Sequence, residues 1–264
     1  MLGVQSGIAG LRSANIINQS TKNINRSINR VMSGSRINSA ADDPSGLGVS
    51  EQLRNRAAGL DQASQNIQNG AAFLNIADGA LSNTANILNR LKELAVKSSD
   101  PTLSSAQSNL IKTEFDALTT QINVNGAVKY GDVKIFAGST FSFKIGADVN
   151  TDMGVSIAAL TTSALGLTGI SLGTSDATSK INSALSTLAN IQAQVGTYQS
   201  TFSYIQDAID TEATNVREAD ATLRDTDVAK EMTNYVTETI RMQAAQFMTA
   251  QSNQSAYSVL NLLQ

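Results

Sequence analysis

The sequence contains no cysteine, no histidine and no tryptophan, and these absences exclude most catalytic and metal-binding chemistry. Without cysteine or histidine there is no Ser-His-Asp or Cys-His centre, no thiolate redox site and none of the usual zinc ligand sets. No glycine-rich phosphate loop of the form GxxxxGK[ST] or GxGxxG is present. Asp42 and Asp43 precede Pro44, and this order is typical of the start of a helix. The sequence therefore predicts a protein that is not an enzyme and has no catalytic, cofactor or metal site.

Aromatic residues make up only 5% of the 264 residues, and the formal net charge is −3. A compact globule of this size normally draws more of its core from large rings, so the composition favours a thin helical bundle. The charge offers no basic surface for nucleic acid. No run of about 18 apolar residues could span a bilayer, and residues 1–8 lack the cationic and apolar regions of a signal peptide. We expect no nucleic-acid partner, no membrane insertion and no cleaved signal.

Large apolar residues recur every seven positions in two parts of the chain. The first ladder is Leu53, Leu60, Ile67, Leu74, Leu81 and Leu88. The second ladder is Ile181, Leu188, Val195, Phe202, Ile209 and Val216. A seven-residue period keeps one stripe of a helix against a partner helix, as in the seam of a coiled coil. The ladders predict two long helices, over about 44–98 and 179–217, that form the seam of a rod.

Thinner apolar stripes with helical spacing occupy both ends of the chain. At the N-terminal end the stripe is Val4, Ile8, Leu11, Ile24, Ile28 and Val31. At the C-terminal end it includes Met232, Ile240, Phe247, Leu260 and Leu263. Polar residues and several glycines surround these positions, and a lone helix of this kind is marginal in water. We expect the terminal helices to become ordered only when a partner covers their stripes, through contacts that build a polymer.

The middle of the chain changes character. Ser104, with Gln107 three residues later, predicts a capping box and a helix that ends near Asn125-Gly126. Alternating apolar residues then predict short strands at 133–135, 141–145 and 153–157, with a turn at 137–139 between the first two. The overall prediction is a mainly α fold. It is an elongated antiparallel helical coiled-coil bundle with a small β-hairpin region at about 127–175, which packs against the helices.

Several ordered motifs resemble those of the bacterial flagellins. They are SGSRINSAADDPSGL at 33–47, LKELAV at 91–96, QSNQ at 251–254 and LNLL at 260–263. The resemblance covers about residues 1–125 and 180–264. It implies a discontinuous arrangement in which residues 1–43 and 220–264 form the inner coiled coil of a filament. Residues 44–219 would then form the outer rod, with its small β insertion.

The resemblance also implies a function and partners. A flagellin is the structural subunit of the bacterial flagellar filament, and it assembles with copies of itself into a helical polymer for motility. The expected partners are other copies of the chain, a flagellar export chaperone and the secretion apparatus, and the filament cap and hook-junction proteins. The expected location is extracellular, in the filament, after export without a cleaved signal peptide.

A host innate receptor is a further partner that the resemblance implies. In flagellins that such a receptor recognises, the contact matches Arg90, Leu94 and Glu114 of this sequence. Residues 90 and 94 share one face of a helix, next to the predicted seam. We expect Leu94 to be exposed beside Arg90 and to act as a small apolar anchor. The competing interpretation is that Leu94 belongs to the packing of the rod.

Three other functions compete with a filament subunit. A hook–filament junction protein resembles flagellin at both ends. A non-polymerising coiled-coil binding module would explain the ladders but not the glycine-containing, marginal termini. An enzymatic flagellin would need the metalloprotease motif HExxH, which a chain without histidine does not have.

Overall fold

The computed structural model describes the backbone of residues 2–149 and 151–262, and the side chains of residues 8, 10–149 and 151–254. The described part of the chain forms five helices, which confirms the mainly α prediction. They are α1 (Leu2–Ser33), α2 (Pro44–Lys97), α3 (Ser105–Gly126), α4 (Ser175–Arg224) and α5 (Val228–Leu262). Four short strands lie between α3 and α4: β1 (Lys129–Tyr130), β2 (Val133–Lys134), β3 (Thr140–Lys144) and β4 (Asp152–Ser156).

Local capping chemistry sets the helix starts where the sequence predicts them. Before Pro44, the side chain of Asp43 accepts a hydrogen bond of 2.9 Å from the backbone N–H of Gly46. This bond satisfies one of the free N–H groups at the start of α2. At the start of α3, Ser104 and Gln107 form the predicted capping box, in which each side chain accepts from the other residue's backbone N–H. The predicted end of α3 at Gly126 is also confirmed.

The strands pair differently from the prediction. The alternating apolar residues predicted a turn at 137–139 that would join the strands containing Val133 and Phe141 as a hairpin. These strands instead belong to separate two-stranded sheets. β1 pairs with β2 through a tight turn at Gly131, whose φ is +59°. β3 pairs with β4, and Phe141 lies opposite Val155. The prediction failed because alternation identifies a strand and its buried face but does not identify its partner.

The chain divides into two compact units, and one of them comprises Arg56–Thr214. Aromatic side chains of β3 pack on the helices of this unit. The ring centroids of Phe141 and Phe73 are 5.0 Å apart, and those of Phe143 and Phe202 are 5.6 Å apart. Gly70 permits the close approach, because a Cβ there would lie 2.7 Å from the Phe202 ring. The small β region therefore packs on α2 and α4, as expected.

Most ladder side chains lie in the core of this unit. Ten of them are buried: Leu60, Ile67, Leu74, Leu81, Leu88, Ile181, Leu188, Val195, Phe202 and Ile209. Leu53 and Val216, at one end of each ladder, are half-buried and fall outside this unit. Among the described residues, no helix combines the length and the apolar character needed to cross a bilayer.

Candidate functional site

The second compact unit comprises residues 1–55 and 215–264, and in it α1 packs antiparallel against α5. Its seam is polar. The Ser27 hydroxyl donates a hydrogen bond of 2.7 Å to the carboxylate of Glu231. Seven residues earlier on α1, Ser20 donates one of 2.8 Å to Glu238, seven residues later on α5. Ser27 is 5% exposed and Ser20 only 2%, so the centre of the helix contact consists of small hydroxyls facing carboxylates.

Further donors surround the two carboxylates. The Asn23 side-chain amide donates to Glu238 at 3.3 Å, and Arg241 forms an ion pair with Glu238 at 2.9 Å. Arg30 approaches Glu231 at 3.7 Å. A carboxylate withdrawn from water is tolerated only when hydrogen bonds and positive charge replace its hydration. Both glutamates meet that condition within this helix pair.

Several large apolar side chains of the same two helices lie at the surface and not in the seam. On α1, Leu11 is 69% exposed, and on α5, Phe247 is 75% exposed. Among the residues predicted to support polymerisation, the exposed ones are Ile8, Leu11, Ile28, Met232, Ile240 and Phe247. Ile24 and Val31 are half-buried. The side chains of Val4 and Leu260, and the whole of Leu263, lie outside the described residues. Because polar groups form the seam, these apolar side chains remain available to a partner.

The sequence reasoning missed the polar seam, although a signal for it was present. Serines stand at 13, 20 and 27, and the facing positions 231, 238 and 245 carry Glu, Glu and Ala, so both rows have a seven-residue period. Ser13 and Ala245 are buried like the others. A search for large apolar residues alone cannot find a seam built from hydroxyls and carboxylates.

Two open grooves flank the seam. One, of about 500 Å³, has apolar lining from Ile16, Ala244 and Met248. The other, of about 290 Å³, is polar and is lined by Arg26, Arg30, Asn234 and Thr237 among others. Ile16 and Met248, which line the first groove, are themselves exposed.

A short clasp joins the connection after α1 to the end of α4. The backbone N–H of Arg36 donates to the carbonyl of Arg224 at 2.6 Å, and the N–H of Thr226 donates to the carbonyl of Gly34 at 3.0 Å. The Arg36 guanidinium donates to the carbonyl of Leu223 at 2.8 Å, where helix carbonyls lack partners. Gly34 adopts a φ of +68°, which favours glycine. The clasp holds one end of the α1–α5 pair.

Asp42 orders the rest of this connection. Burial opposes its charge. The hydrogen bonds from the Ser39 hydroxyl and from the backbone N–H groups of Asn38 and Ser39 outweigh that effect and lower the pKa of the Asp42 carboxyl. The Ser39 hydroxyl lies 3.0 Å from the carboxylate. This carboxylate has a structural role, consistent with the interpretation of the Asp42-Asp43 pair from sequence.

The expected exposure of Leu94 is wrong. Leu94 is 2% exposed, whereas Arg90 lies at the surface and forms ion pairs of 2.8 Å with both Glu93 and Glu114. The buried positions of this part of α2 are Ile87, Leu88, Leu91, Leu94 and Ala95. They form a face wider than a single heptad seam. This end of α2 has two neighbours, because Arg90 pairs with Glu114 of α3 and the backbone N–H of Gly173, before α4, donates to the Ser98 hydroxyl at 2.9 Å. Leu94 therefore belongs to the core of its unit.

Among the residues that the structure describes, no three His, Cys, Asp or Glu side chains lie close enough together to hold a metal ion.

Two sequence families match the chain. Their descriptions are "Bacterial flagellin N-terminal helical region", over residues 4–140, and "Bacterial flagellin C-terminal helical region", over residues 178–263. The flagellar filament 33 kDa core protein of Treponema phagedenis is 32% identical over 263 residues, covering 91% of this chain and 92% of that protein. Flagellin FlaB1 of Treponema pallidum is 30% identical with the same coverage of both chains. A flagellin of Halalkalibacterium halodurans is 32% identical over 248 residues, covering 90% of this chain and 91% of the relative.

Proposed function

We propose, from the premise that this chain belongs to the bacterial flagellin family, that the exposed apolar faces of α1 and α5 make the contacts between copies in the flagellar filament. The chain is a structural subunit of that filament, a polymer of copies of the same chain, and it is not an enzyme. The filament is extracellular. No observation favours a hook–filament junction protein or a non-polymerising coiled-coil module over this function.

The observation that carries the proposal is the opposite placement of polar and apolar residues on the terminal helices. Ser20 and Ser27 fill the seam, while Leu11 and Phe247 remain largely exposed. Burial of a large apolar side chain contributes about 1.5–3 kcal/mol, so leaving many of them in water is unfavourable unless another molecule covers them. A second copy of the chain offers matching apolar helices.

An open filament follows if the contacts are heterologous. When the surface that one copy presents differs from the surface that it contacts, each addition leaves both surfaces free at the ends of the assembly. The exposed faces of α1 and α5 provide two such different surfaces within one unit. We assign residues 1–43 and 220–264 to the inner layer of the filament and residues 44–219 to its outer rod. The compact units divide nearby, between 55 and 56 and between 214 and 215.

Export and assembly partners belong to the same proposal. A chain that leaves the cell through a narrow secretion channel must travel largely unfolded, and the absence of cysteine means that no disulfide has to form afterwards. We propose export without a cleaved signal peptide, with a chaperone that covers exposed apolar residues before secretion. The filament cap and the hook-junction proteins would then contact the ends of the polymer.

We propose that a host innate receptor contacts the monomer at the charged side chains Arg90 and Glu93 of α2 and Glu114 of α3. Arg90 and Glu114 are accessible, and Glu93 adds a second carboxylate to the same surface. Leu94 has no place in this contact, because it is buried. Loss of receptor binding by the Arg90→Ala monomer, measured against the parent, would support the contact, and equal binding would reject it.

Polymerisation of purified protein tests the main proposal. Leu11→Ser and Phe247→Ser each remove one exposed apolar side chain from the terminal helices, and both should reduce the yield of sedimentable filaments seen by electron microscopy. Val149→Ser is a matched control, because Val149 is 81% exposed but lies in the loop between β3 and β4. If Leu11→Ser and Phe247→Ser polymerise as well as Val149→Ser, the exposed faces are not the polymer contacts.

A further inference from the structure

The polar seam between α1 and α5 contains a repeated recognition pattern. Two glutamates of α5, Glu231 buried and Glu238 half-buried, each face a serine of α1 together with a second polar partner three residues after that serine. Glu231 faces Ser27 and Arg30, and Glu238 faces Ser20 and Asn23. Residues three apart lie on the same face of a helix, so one carboxylate can accept from the serine and also meet the side chain three residues later. That side chain is a hydrogen-bond donor at Asn23 and an ion-pair partner at 3.7 Å at Arg30, so a similar arrangement occurs twice along the pair.

The pattern distinguishes the observed alignment from its nearest alternatives. Sliding α5 by one heptad, about 10 Å, is the smallest shift that keeps the same helix faces together. In one direction Ser20 would meet Glu231 and Ser13 would meet Glu238. The second-donor position for Glu238 would then be occupied by Ile16, which has no donor. The Glu238 carboxylate would lose a hydrogen bond and face an apolar side chain, which is unfavourable for a charge that is partly withdrawn from water.

Sliding α5 by one heptad in the other direction removes more partners from the carboxylates. Glu231 would move beyond the last residue of α1, Ser33, where the helix offers neither a serine nor a second donor to face it. Ser27 would face Glu238, and Ser20 would face Ala245. One of the two carboxylates would lose both of its partners on α1. Only the observed alignment gives each glutamate a serine and a second donor.

We propose that these two glutamates, each paired with a serine and a second donor, set the register in which α1 and α5 pair in the assembled subunit. The inference rests on the proposed function, because the register decides which apolar side chains stand side by side on the polymer surface. The clasp at Arg36 and Arg224 fixes one end of the helix pair. The Ser20–Glu238 pair lies more than ten residues farther along both helices, where the clasp has no contact. A buried polar pair that specifies alignment is a known device in coiled coils.

Engineered cysteines measure the register directly, since the chain has none of its own. Ser13→Cys with Ala245→Cys joins two buried small positions that face each other in the observed register. Ser6→Cys with Ala245→Cys joins the positions that would face each other after a one-heptad slide. After filaments are oxidised and dissolved, an intramolecular disulfide appears as altered migration of the monomer. We expect the first pair to cross-link and the second to give none, because a one-heptad offset exceeds the span of a disulfide.

Exchanging a serine and a glutamate between the two helices tests whether these pairs set the register of α1 and α5. Ser20→Glu places two carboxylates opposite each other, and we expect about a tenfold loss of polymer together with loss of the cross-link between positions 13 and 245. Adding Glu238→Ser restores one serine and one glutamate with their positions exchanged, and it should recover most of both signals. Asn18→Glu is the control, because it adds the same charge to an exposed position of α1 outside the seam.

The outcomes separate this inference from the proposed function. If the parent protein forms no filaments, the proposed function fails. If the parent polymerises but Ser20→Glu matches it in yield and cross-linking, the register proposal fails. It also fails if the double exchange is as defective as Ser20→Glu, if Asn18→Glu is equally defective, or if the slid pair cross-links as well as the observed pair. Rescue by the double exchange, with only the observed pair cross-linked, supports the proposal.

Discussion

Asn125, in the last turn of α3, donates a hydrogen bond of 3.2 Å from its side-chain amide to the buried hydroxyl of Thr84 on α2. Thr84 is fully buried, and Asn125 is 6% exposed. The side-chain oxygen of Asn125 (Oδ1) in turn accepts hydrogen bonds from the side-chain amides of Asn83 and Gln121, at 3.4 Å in each case. This polar group links two helices, and its two buried members, Thr84 and Asn125, need each other because water cannot replace a lost partner there.

Thr84→Val is therefore expected to destabilise the unit by about 1–3 kcal/mol, because it leaves a buried amide donor without an acceptor. Thermal unfolding followed by circular dichroism measures the change. Thr113→Val is a matched control, because Thr113 is exposed, and its hydroxyl donates to the carbonyl four residues earlier, as that of Thr84 does. Equal loss of stability in the two variants would show that the bond to Asn125 contributes nothing.

Leu74→Ala tests the centre of the first ladder. The Leu74 side chain is fully buried, so its truncation should cost about 2–5 kcal/mol through lost burial and the cavity that remains. Leu74→Asp should prevent this unit from folding, because it buries an unpaired charge. Val96→Ala, at a position on the same helix that is 59% exposed, should change the midpoint of unfolding very little. A Leu74→Ala effect as small as that of Val96→Ala would remove Leu74 from the core.

Gly126→Ala tests a close approach of two backbones. A Cβ at Gly126 would collide with the carbonyl of Leu160, and a backbone atom cannot move aside as a flexible side chain can. We expect a loss of about 1–3 kcal/mol in the free energy of unfolding. Gly79→Ala is the control within α2, where nothing lies within 4 Å of the added atom. That change should stabilise the protein by about 0.5–1 kcal/mol. Stabilisation by both substitutions would contradict the close contact.

The terminal helices should be less protected than the ladder helices in the monomer. Their seam is polar and their apolar side chains are exposed, so little burial opposes local opening. Hydrogen exchange on the monomer should be faster in residues 10–33 and 228–254 than in residues 60–88. In filaments, the terminal segments should gain protection while the ladder segment changes little. Equal protection of the two regions in the monomer would contradict the prediction.

The Asp42 carboxylate should make the connection after α1 sensitive to acid. Hydrogen bonding lowers its pKa in the folded protein below the ordinary value of 3.8. The charged form therefore contributes stability that is fully present above about pH 4 and is lost as the pH falls through the lowered pKa. Asp42→Asn should be less stable than the parent at pH 6, and the difference should shrink as the pH falls below the ordinary carboxyl pKa of 3.8. Unfolding curves over this range provide the measurement, and a constant difference would exclude the linkage.

The sequence alone determined the helices and their buried stripe. Leu60, Leu74 and Leu88 share one helix face because the seven-residue period is a local property of the helix, whatever its partner. The capping box at Ser104 and the helix start at Pro44 were equally predictable, because they depend on hydrogen bonds between residues only a few positions apart.

Only the tertiary structure decided how many partners a helix face meets and which strands pair. Leu94 is buried because its part of α2 has more than one neighbour, and a heptad count assumes a single partner. Phe141 lies opposite Val155 because strand pairing depends on contacts distant in sequence. The Ser20–Glu238 pair joins residues 218 positions apart. A serine or glutamate looks the same in sequence whether water or a facing helix satisfies it, so only the packing of α1 on α5 distinguishes the two.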